Sequence, residues 1–586
     1  MVGPLRLPAA ASTGTRRWVW LGLAAVLVAG LGLRLWGVAQ GLPYVYNLDE
    51  SDHFVPHAVA MFAHGLNPHY FANPPALTYL LHLLFAVWFG GARAVERAYS
   101  VHPEDVYVLA RVVSAVLGVL AVWLLYLVGA RLLGRGAGLL AAAIESVAFL
   151  PVFYSHLALN DVPTLAPLTL SLLGTAGVLY RGRAFDYLLA GVGLGLACAT
   201  KYTAGIALLP LLAAIALRYL EREPRPAPHA RRSGLAVAGL GGVAIAAVAA
   251  VLAFLLANPF AVLDFSAFHS GLVHQSTVSG ETQGKLGAPR DGGVPYYLWS
   301  LTWGLGWVPA LAALGGALLI WRSHARLGWL LVPAPVLFLI FMGAQGRYFG
   351  RWLLPIFPML CLLAAFFLLR TAESLSARSP RLRPALIALA VVLACGQGLV
   401  YSVHSGLVLA RADTRNLMRA WMVAHVPAGS RLVVEPVVPN GWVTDVGDPS
   451  GEPRWLKYPS LRALLNPVSG APEPEGRKVR AEDYVRTLSP ALISYYASHD
   501  YCWVLSGSTQ SGRAFAEPSA VPQAIAYYGA LARRARVEYR VSPYAAGHGP
   551  VAFGFDWSFD YYPLAYRRPG PLVTVYRLTE GRCARR

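Results

Sequence analysis

The chain has 586 residues, 56% of them hydrophobic and only 13% charged, with a formal net charge of +19. A soluble domain carries roughly a quarter charged residues, so this composition excludes an ordinary soluble protein. The basic excess does not point to nucleic acid either, because the arginines stand between apolar blocks, where they orient membrane helices.

The first apolar block, about 18–40, follows Arg6, Arg16 and Arg17, which place the N-terminus in the cytoplasm. It lacks a small-residue cleavage site and reads as a retained helix rather than a signal peptide. It leads into "YNLDESDHF", Tyr46 to Phe54, where three carboxylates and a histidine fall within nine residues. The next apolar stretch, 75–90, opens with Pro74 and Pro75. If it crossed, Arg131 and Arg135 would lie outside; if it rests on the interface, both fall inside. Residues 41–107 are therefore predicted as one external loop with interfacial helices. Ten further spans follow at about 108–130, 136–154, 162–180, 185–201, 203–220, 234–257, 302–321, 327–343, 353–370 and 385–405. Their cytoplasmic turns collect the arginines at 181–183, 218–232, 322–326 and 370–383. The expectation is eleven spans in residues 1–405, a multi-pass cell-membrane protein with its C-terminus outside.

After about 405 the sequence changes to mixed polarity. Strands are predicted at 431–438, 501–507, 537–542 and 571–578, with helices at 413–426, capped by Asp413, and 522–537. Residues 406–586 read as an extracytoplasmic α/β domain with its own core. Its aromatic stretch 553–571 suits core packing, sugar stacking or the membrane surface. Cys198, Cys361 and Cys395 lie in apolar blocks, whereas Cys502 and Cys583 are free to pair outside.

On this topology the polar residues that do not orient helices share one face. Asp49, Glu50 and Asp52 follow the first span. Asn160 and Asp161 lie in a short external turn. Lys201, one of four lysines in the chain, ends an outward span, and Arg347 and Arg351 lie in another external turn. Each has a bland reading: a helix-capping carboxylate, a snorkelling lysine, arginines on lipid headgroups. Together they suggest transfer from a lipid-linked phosphate. A carboxylate serves as general base on an acceptor hydroxyl, and cations stabilise the departing phosphate. Asp49, His53 and His57 at i, i+4 and i+8 offer a helical face for a divalent metal, although the chemistry does not require one. The rival function is a transporter or flippase of an anionic lipid-linked substrate, which would gather polar groups near the bilayer midplane.

Four stretches, "NLDESDHFVPHAVAMFAHGLNPHYFANPPALTYLLHLLFAVWFG" (47–90), "LALNDVPTLAPLTLSLLG" (157–174), "GLGLACATKYTAGIALLPLL" (193–212) and "RYFGRWLLPIFPMLCLLAA" (347–365), resemble in order the glycosyltransferase family 39 type of GT-C enzymes. That family includes polyprenyl-phosphate-mannose–protein mannosyltransferases and the aminoarabinose transferase of lipid A. The resemblance implies a polyprenyl-phosphate-sugar donor, a lipid, glycan or protein acceptor outside the cytoplasm, and inversion at the anomeric carbon. It places the catalytic carboxylate at Asp49 with Glu50 beside it, and gives Asp161 to the acceptor or the base. Lys201 and Arg347 fall near the donor phosphate, with Tyr348 and Arg351 alongside. Many members carry Lys before the double proline of the first loop; here Asn73 stands there. The external domain has no mannosyltransferase-like signature.

Overall fold

A computed structural model describes residues 13–220, 240–281, 285–288, 292–448, 450–554 and 562–585. Eight helices among these are long and apolar enough to cross a bilayer: Arg17–Leu35, Pro103–Leu132, Tyr202–Leu220, Leu240–Ala257, Gly293–Ser323, Ala325–Gly343, Gly350–Leu375 and Pro380–His425. Ala76–Phe89 and Ala92–Val101 meet at 95°, and count as a ninth only if the bent pair is one span. The chain is a polytopic α-helical membrane protein. Eight or nine is fewer than the expected eleven because three predicted spans are short or broken. Leu165–Tyr180 and Ala184–Thr200 are apolar but short. Arg135–Val147 breaks at the extended Ala148 and restarts as Phe149–Tyr154, with Pro151 in the first turn, where its missing N–H is harmless.

Small residues set the helix packing. A Cβ on Gly174 or Gly193 would come within 2.3 Å of backbone on the partner helix of the Leu165–Tyr180 and Ala184–Thr200 pair. Gly195 would meet the Ala250 carbonyl of Leu240–Ala257 at 2.2 Å. Between apolar helices in lipid, such close backbone approach is a main source of attraction.

Leu165–Tyr180 also separates two chemically different ends. Its 16 residues correspond to about 24 Å of axial rise. At its C-terminal end Arg218 donates to the Arg181 carbonyl (2.9 Å), and the Tyr180 hydroxyl donates to the Leu132 carbonyl (3.5 Å), next to Arg131. Asp161 lies just before its N-terminal end. The basic turns and the acidic turns therefore occupy opposite ends of the bundle.

Beyond Leu409, Asp413 caps the helix Thr414–His425 by accepting the Arg415 N–H at 2.8 Å. Seven strands follow: β1 Arg431–Val434, β2 Leu456–Lys457, β3 Arg462–Leu465, β4 Pro472–Lys478, β5 Trp503–Gly507, β6 Ala535–Val541 and β7 Val573–Leu578. β3 and β4 form an antiparallel pair; the others form one sheet in the order β2-β1-β5-β7-β6. β1 runs parallel to β2 and β5, and β7 antiparallel to β5 and β6. β1 ends before the predicted 438 because Pro436 and Pro439 cannot donate to a ladder. Cys502 and Cys583 form a disulfide. Residues 555–561 of the aromatic stretch lie outside the described residues.

The C-terminal domain is seated on the acidic end. Asn416 donates to the carbonyls of Gly41 and Leu42 (both 3.1 Å), and the Arg415 guanidinium lies 3.6 Å from the Tyr46 ring centroid. On the other flank Lys285 pairs with Glu482 (2.6 Å), and Glu281 pairs with Arg480 (3.1 Å).

Candidate active site

Asn47 starts the helix Leu48–Asp52 by accepting the Glu50 N–H at 3.1 Å. Asp49 and Glu50 then occupy the first turn, where unpaired N–H groups favour negative charge. The two neighbours point to different surroundings. Asp49 faces Arg351 of the turn Gly350–Ile356, its carboxylate hydrogen-bonded to the guanidinium. Arg351 Nε lies 3.6 Å from Asp161, and Asp161 pairs with Lys201. Asp49, Arg351, Asp161 and Lys201 thus form one chain of alternating charge drawn from four segments.

Local structure explains each placement. Asn160 donates from its carboxamide to the Thr200 carbonyl (2.7 Å), fastening the Asp161 turn to the end of Ala184–Thr200. Lys201 follows in extended conformation, φ −153° and ψ 122°, so its side chain leaves the helix toward that turn. The Arg351 guanidinium lies 4.5 Å from the Phe349 ring centroid and 5.7 Å from that of Tyr154, a geometry of cation–π attraction. Asp49 keeps 39% of its side chain exposed, against 4% for Asp161 and 10% for Arg351. Within the cluster, Asp49 is therefore the group an incoming hydroxyl can reach. Desolvation alone would raise its pKa, but Arg351 chiefly, with His53 and Lys285, outweighs that and holds the carboxyl well below the usual range.

Glu50 requires a correction. Its side chain is fully buried and grips Arg111 with both oxygens, at 2.7 and 2.8 Å, and it accepts the Ala158 N–H at 2.8 Å. It is not placed to touch an acceptor or a sugar. Arg111 also donates to the carbonyls of Val38 and Gln40, each at 2.8 Å. The pair ties the start of the first loop to the helix Pro103–Leu132 and to the turn bearing Asp161. The Tyr348 ring packs on Tyr296 and Tyr297, with centroids at 5.6 and 6.3 Å. Arg347 pairs with Glu281 at 2.8 Å, which joins it to Arg480 of the C-terminal domain.

The helix breaks at His53 (φ −105°, ψ −84°), whose Nε2 stays 3.6 Å from Asp49 Oδ1. The imidazoles of His53 and His57 both stack on Tyr70, at 5.2 and 4.6 Å. The Tyr70 hydroxyl, 2.9 Å from His53 Nδ1, also accepts from Asn73 at 2.7 Å. Among the described residues no three His, Cys, Asp or Glu side chains converge on a common point for a metal.

Sequence reasoning missed Lys285 and Arg111. Lys285 comes from a polar loop without a motif, yet lies 6.0 Å from the Phe349 ring centroid and acts electrostatically on Asp49. Arg111 was legible as an ionisable residue inside a predicted span, which calls for a named partner.

A family model described as dolichyl-phosphate-mannose-protein mannosyltransferase matches residues 104–254, well under half of the chain. No curated protein matches. Among solved structures, the apo oligosaccharyltransferase of Archaeoglobus fulgidus is 14% identical, with 93% of this chain and 76% of that chain covered, at a TM-score of 0.50. The same enzyme tethered to an acceptor peptide gives 13%, 93%, 75% and 0.50. ArnT from Cupriavidus metallidurans bound to undecaprenyl phosphate is 14% identical, covering 96% of this chain and 98% of that one, at 0.49. At 13–14% identity the likeness to the Archaeoglobus fulgidus oligosaccharyltransferase is one of fold.

Proposed function

We propose that this protein moves a sugar from a polyprenyl-phosphate carrier to an acceptor hydroxyl at the extracytoplasmic face of the cell membrane. The observation that carries the reading is the cluster Asp49–Arg351–Asp161–Lys201, a reachable carboxylate beside two cations at one end of an apolar bundle. The description of the matched family model, which names a dolichyl-phosphate sugar as donor, supports the donor class.

The reaction is a single displacement. The acceptor oxygen attacks the anomeric carbon, Asp49 takes the hydroxyl proton, and the bond from that carbon to the phosphate oxygen breaks with its electron pair leaving on the phosphate. Attack opposite the leaving group inverts the anomeric centre. Arg351 and Lys201 receive the phosphate by charge-assisted hydrogen bonds, with Lys285 and Arg347 adding positive potential at longer range. Asp161 holds the two cations in place, and Glu50 with Arg111 holds the loop that carries Asp49. No step is routed through a metal.

The eleven-span topology belongs to this reading, with Arg135–Val147 plus Phe149–Tyr154, Leu165–Tyr180 and Ala184–Thr200 added to the eight long helices. Arginines at the end opposite the cluster favour a cytoplasmic location for that end. The Cys502–Cys583 disulfide in the external domain favours an oxidising compartment.

The test is purified protein in nanodiscs, supplied with a panel of polyprenyl-phosphate sugars and membrane extracts, with products read by mass spectrometry. Asp49→Asn should lower turnover by about 10²–10⁴-fold and still bind polyprenyl phosphate. Full activity in that variant rejects the assignment of the base. Lipid uptake into liposomes without any glycosylated product would instead favour a transporter.

A further inference from the structure

Between the helix Phe265–Gly280 and the span that starts at Gly293, the chain leaves the membrane domain, touches the C-terminal domain and returns. The strap 285–288 is gripped there at consecutive positions. The Lys285 ammonium pairs with Glu482 at 2.6 Å. Leu286 is only 2% exposed and belongs to one apolar cluster with Val433, Tyr484 and Ala514 of the C-terminal domain. The Gly287 N–H donates to Glu517 at 2.8 Å. Gly287 has φ +75°, a conformation that favours glycine, and a Cβ added there would come within 2.4 Å of the Phe553 ring.

The Lys285 side chain, 11% exposed, also reaches the membrane domain. Its Nζ lies 6.0 Å from the centroid of the Phe349 ring. That ring carries the Arg351 guanidinium at 4.5 Å, and Arg351 is bonded to Asp49. Fastening the two domains together does not account for this. Leu286 and Gly287 supply a tether on this flank, as Arg415 and Asn416 do on the other. A tether gains nothing from an ammonium group that gives up hydration and rotamer freedom. Two cations drawn to one ring also repel each other. Negative charge on both sides makes the arrangement favourable: Glu482 on the C-terminal domain, and Asp49, whose ionised form Lys285 favours.

We propose that the C-terminal domain is a working part of the active site: its grip on the strap fixes Lys285 as a third positive charge beside Arg351 and Asp49. Leu286, Gly287 and Glu482 are positioning residues that act through Lys285. This rests on the transferase reading and gives the C-terminal domain a part in it.

The test uses full-length protein in nanodiscs. Lys285→Met removes the charge, Gly287→Val and Leu286→Ser release the strap by different means, and each release is also combined with Lys285→Met. Transfer from polyprenyl-phosphate sugars is measured across pH, per molecule that unfolds cooperatively on heating. Each single variant should lower kcat about tenfold or more. Each should also move the acidic limb of the kcat profile, which reports the base in the donor complex, to higher pH, because loss of a nearby positive charge disfavours the carboxylate. The double variants should be no slower than the slower of their two singles. Independently of turnover, the thiol introduced by Lys285→Cys should react slowly with a water-soluble maleimide, and about tenfold faster or more once Gly287→Val or Leu286→Ser is added. Rate losses that multiply in the doubles, an acidic limb that stays in place in the strap variants, or equal labelling with and without them each overturn the assignment. A wild type that forms no product from any donor, with labelling still governed by the strap, overturns the transferase reading and leaves the domain's hold on Lys285 standing.

Discussion

Replacing Arg111 by Met tests whether the buried Glu50–Arg111 pair positions the catalytic loop. Both side chains are essentially inaccessible, 1% and 0% exposed. Removing the guanidinium leaves the Glu50 carboxylate buried with the Ala158 N–H, a loss of about 3–5 kcal/mol of stability. The double variant Glu50→Leu with Arg111→Met removes the charge instead of orphaning it, and should recover stability to within about 1–2 kcal/mol of wild type. It cannot recover activity. The Arg111 bonds to Val38 and Gln40 and the Ala158 bond to Glu50 are gone, so the loops bearing Asp49 and Asp161 lose their common anchor. A displacement of about 1 Å at a reacting group costs on the order of 10²-fold in rate. The assays are thermal unfolding in nanodiscs and single-turnover transfer from a polyprenyl-phosphate sugar. A single variant as stable as wild type, or a double variant with full turnover, would refute the reasoning.

Lys201→Gln removes a charge-assisted contact of about 1.5–3 kcal/mol, and should weaken polyprenyl-phosphate binding by about 10–100-fold in a direct titration. Reducing the Cys502–Cys583 bridge, which spans a sequence separation of 81, should destabilise the C-terminal domain by about 4.5 kcal/mol in the chain-entropy picture; equal thermal midpoints with and without reductant would contradict that. Glu435 is buried where β1 ends, and burial raises its carboxyl from 4.5 to about 7 despite bonds from Gly507, Tyr528 and Ser506. Because the folded value is the higher one, its contribution is fully present below about 4.5 and is lost as pH rises through about 7, up to roughly 3 kcal/mol. Glu435→Gln should therefore flatten the fall of the domain's melting temperature between pH 5 and 8, and an unchanged slope would rule this carboxyl out as its source.

Much of this fold was legible because lipid imposes rules that act one helix at a time. Apolar length and the placement of arginines suffice to order the helices and to put Asp49, Asp161, Lys201 and Arg351 at one end. Periodicity also located β5, β6 and β7 to within a few residues. What stayed hidden depends on partners distant in sequence. Glu50 reads like Asp49 in a linear string, and only the rotation of one short helix sends one to Arg111 and the other to Arg351. Tyr348 sits between two basic residues, yet its ring is claimed by Tyr296 and Tyr297. The i, i+4, i+8 spacing of Asp49, His53 and His57 did not show Tyr70, on which both imidazoles stack while His53 stays 3.6 Å from Asp49.

The same geometry sets a condition on the proposed reaction, in which Asp49 is the base and a polyprenyl phosphate the leaving group. Arg351 and Lys201, the cations available to a phosphate, are already joined to Asp49 and Asp161. A phosphate that takes them must loosen those pairs, and its charge must be compensated by more than the two cations it borrows. Lys285, itself paired with Glu482 at 2.6 Å, is a third cation close by. It approaches the Phe349 ring, which also carries Arg351, and its charge is felt at Asp49. With the guanidinium shared between carboxylate and phosphate, less positive charge bears on Asp49, so its proton affinity rises when the donor is bound. A carboxylate held far below the usual range is a weak base in the resting enzyme, and becomes a stronger one when the leaving group is in place. Arrival of the donor and activation of the base are then one electrostatic event, centred on Arg351.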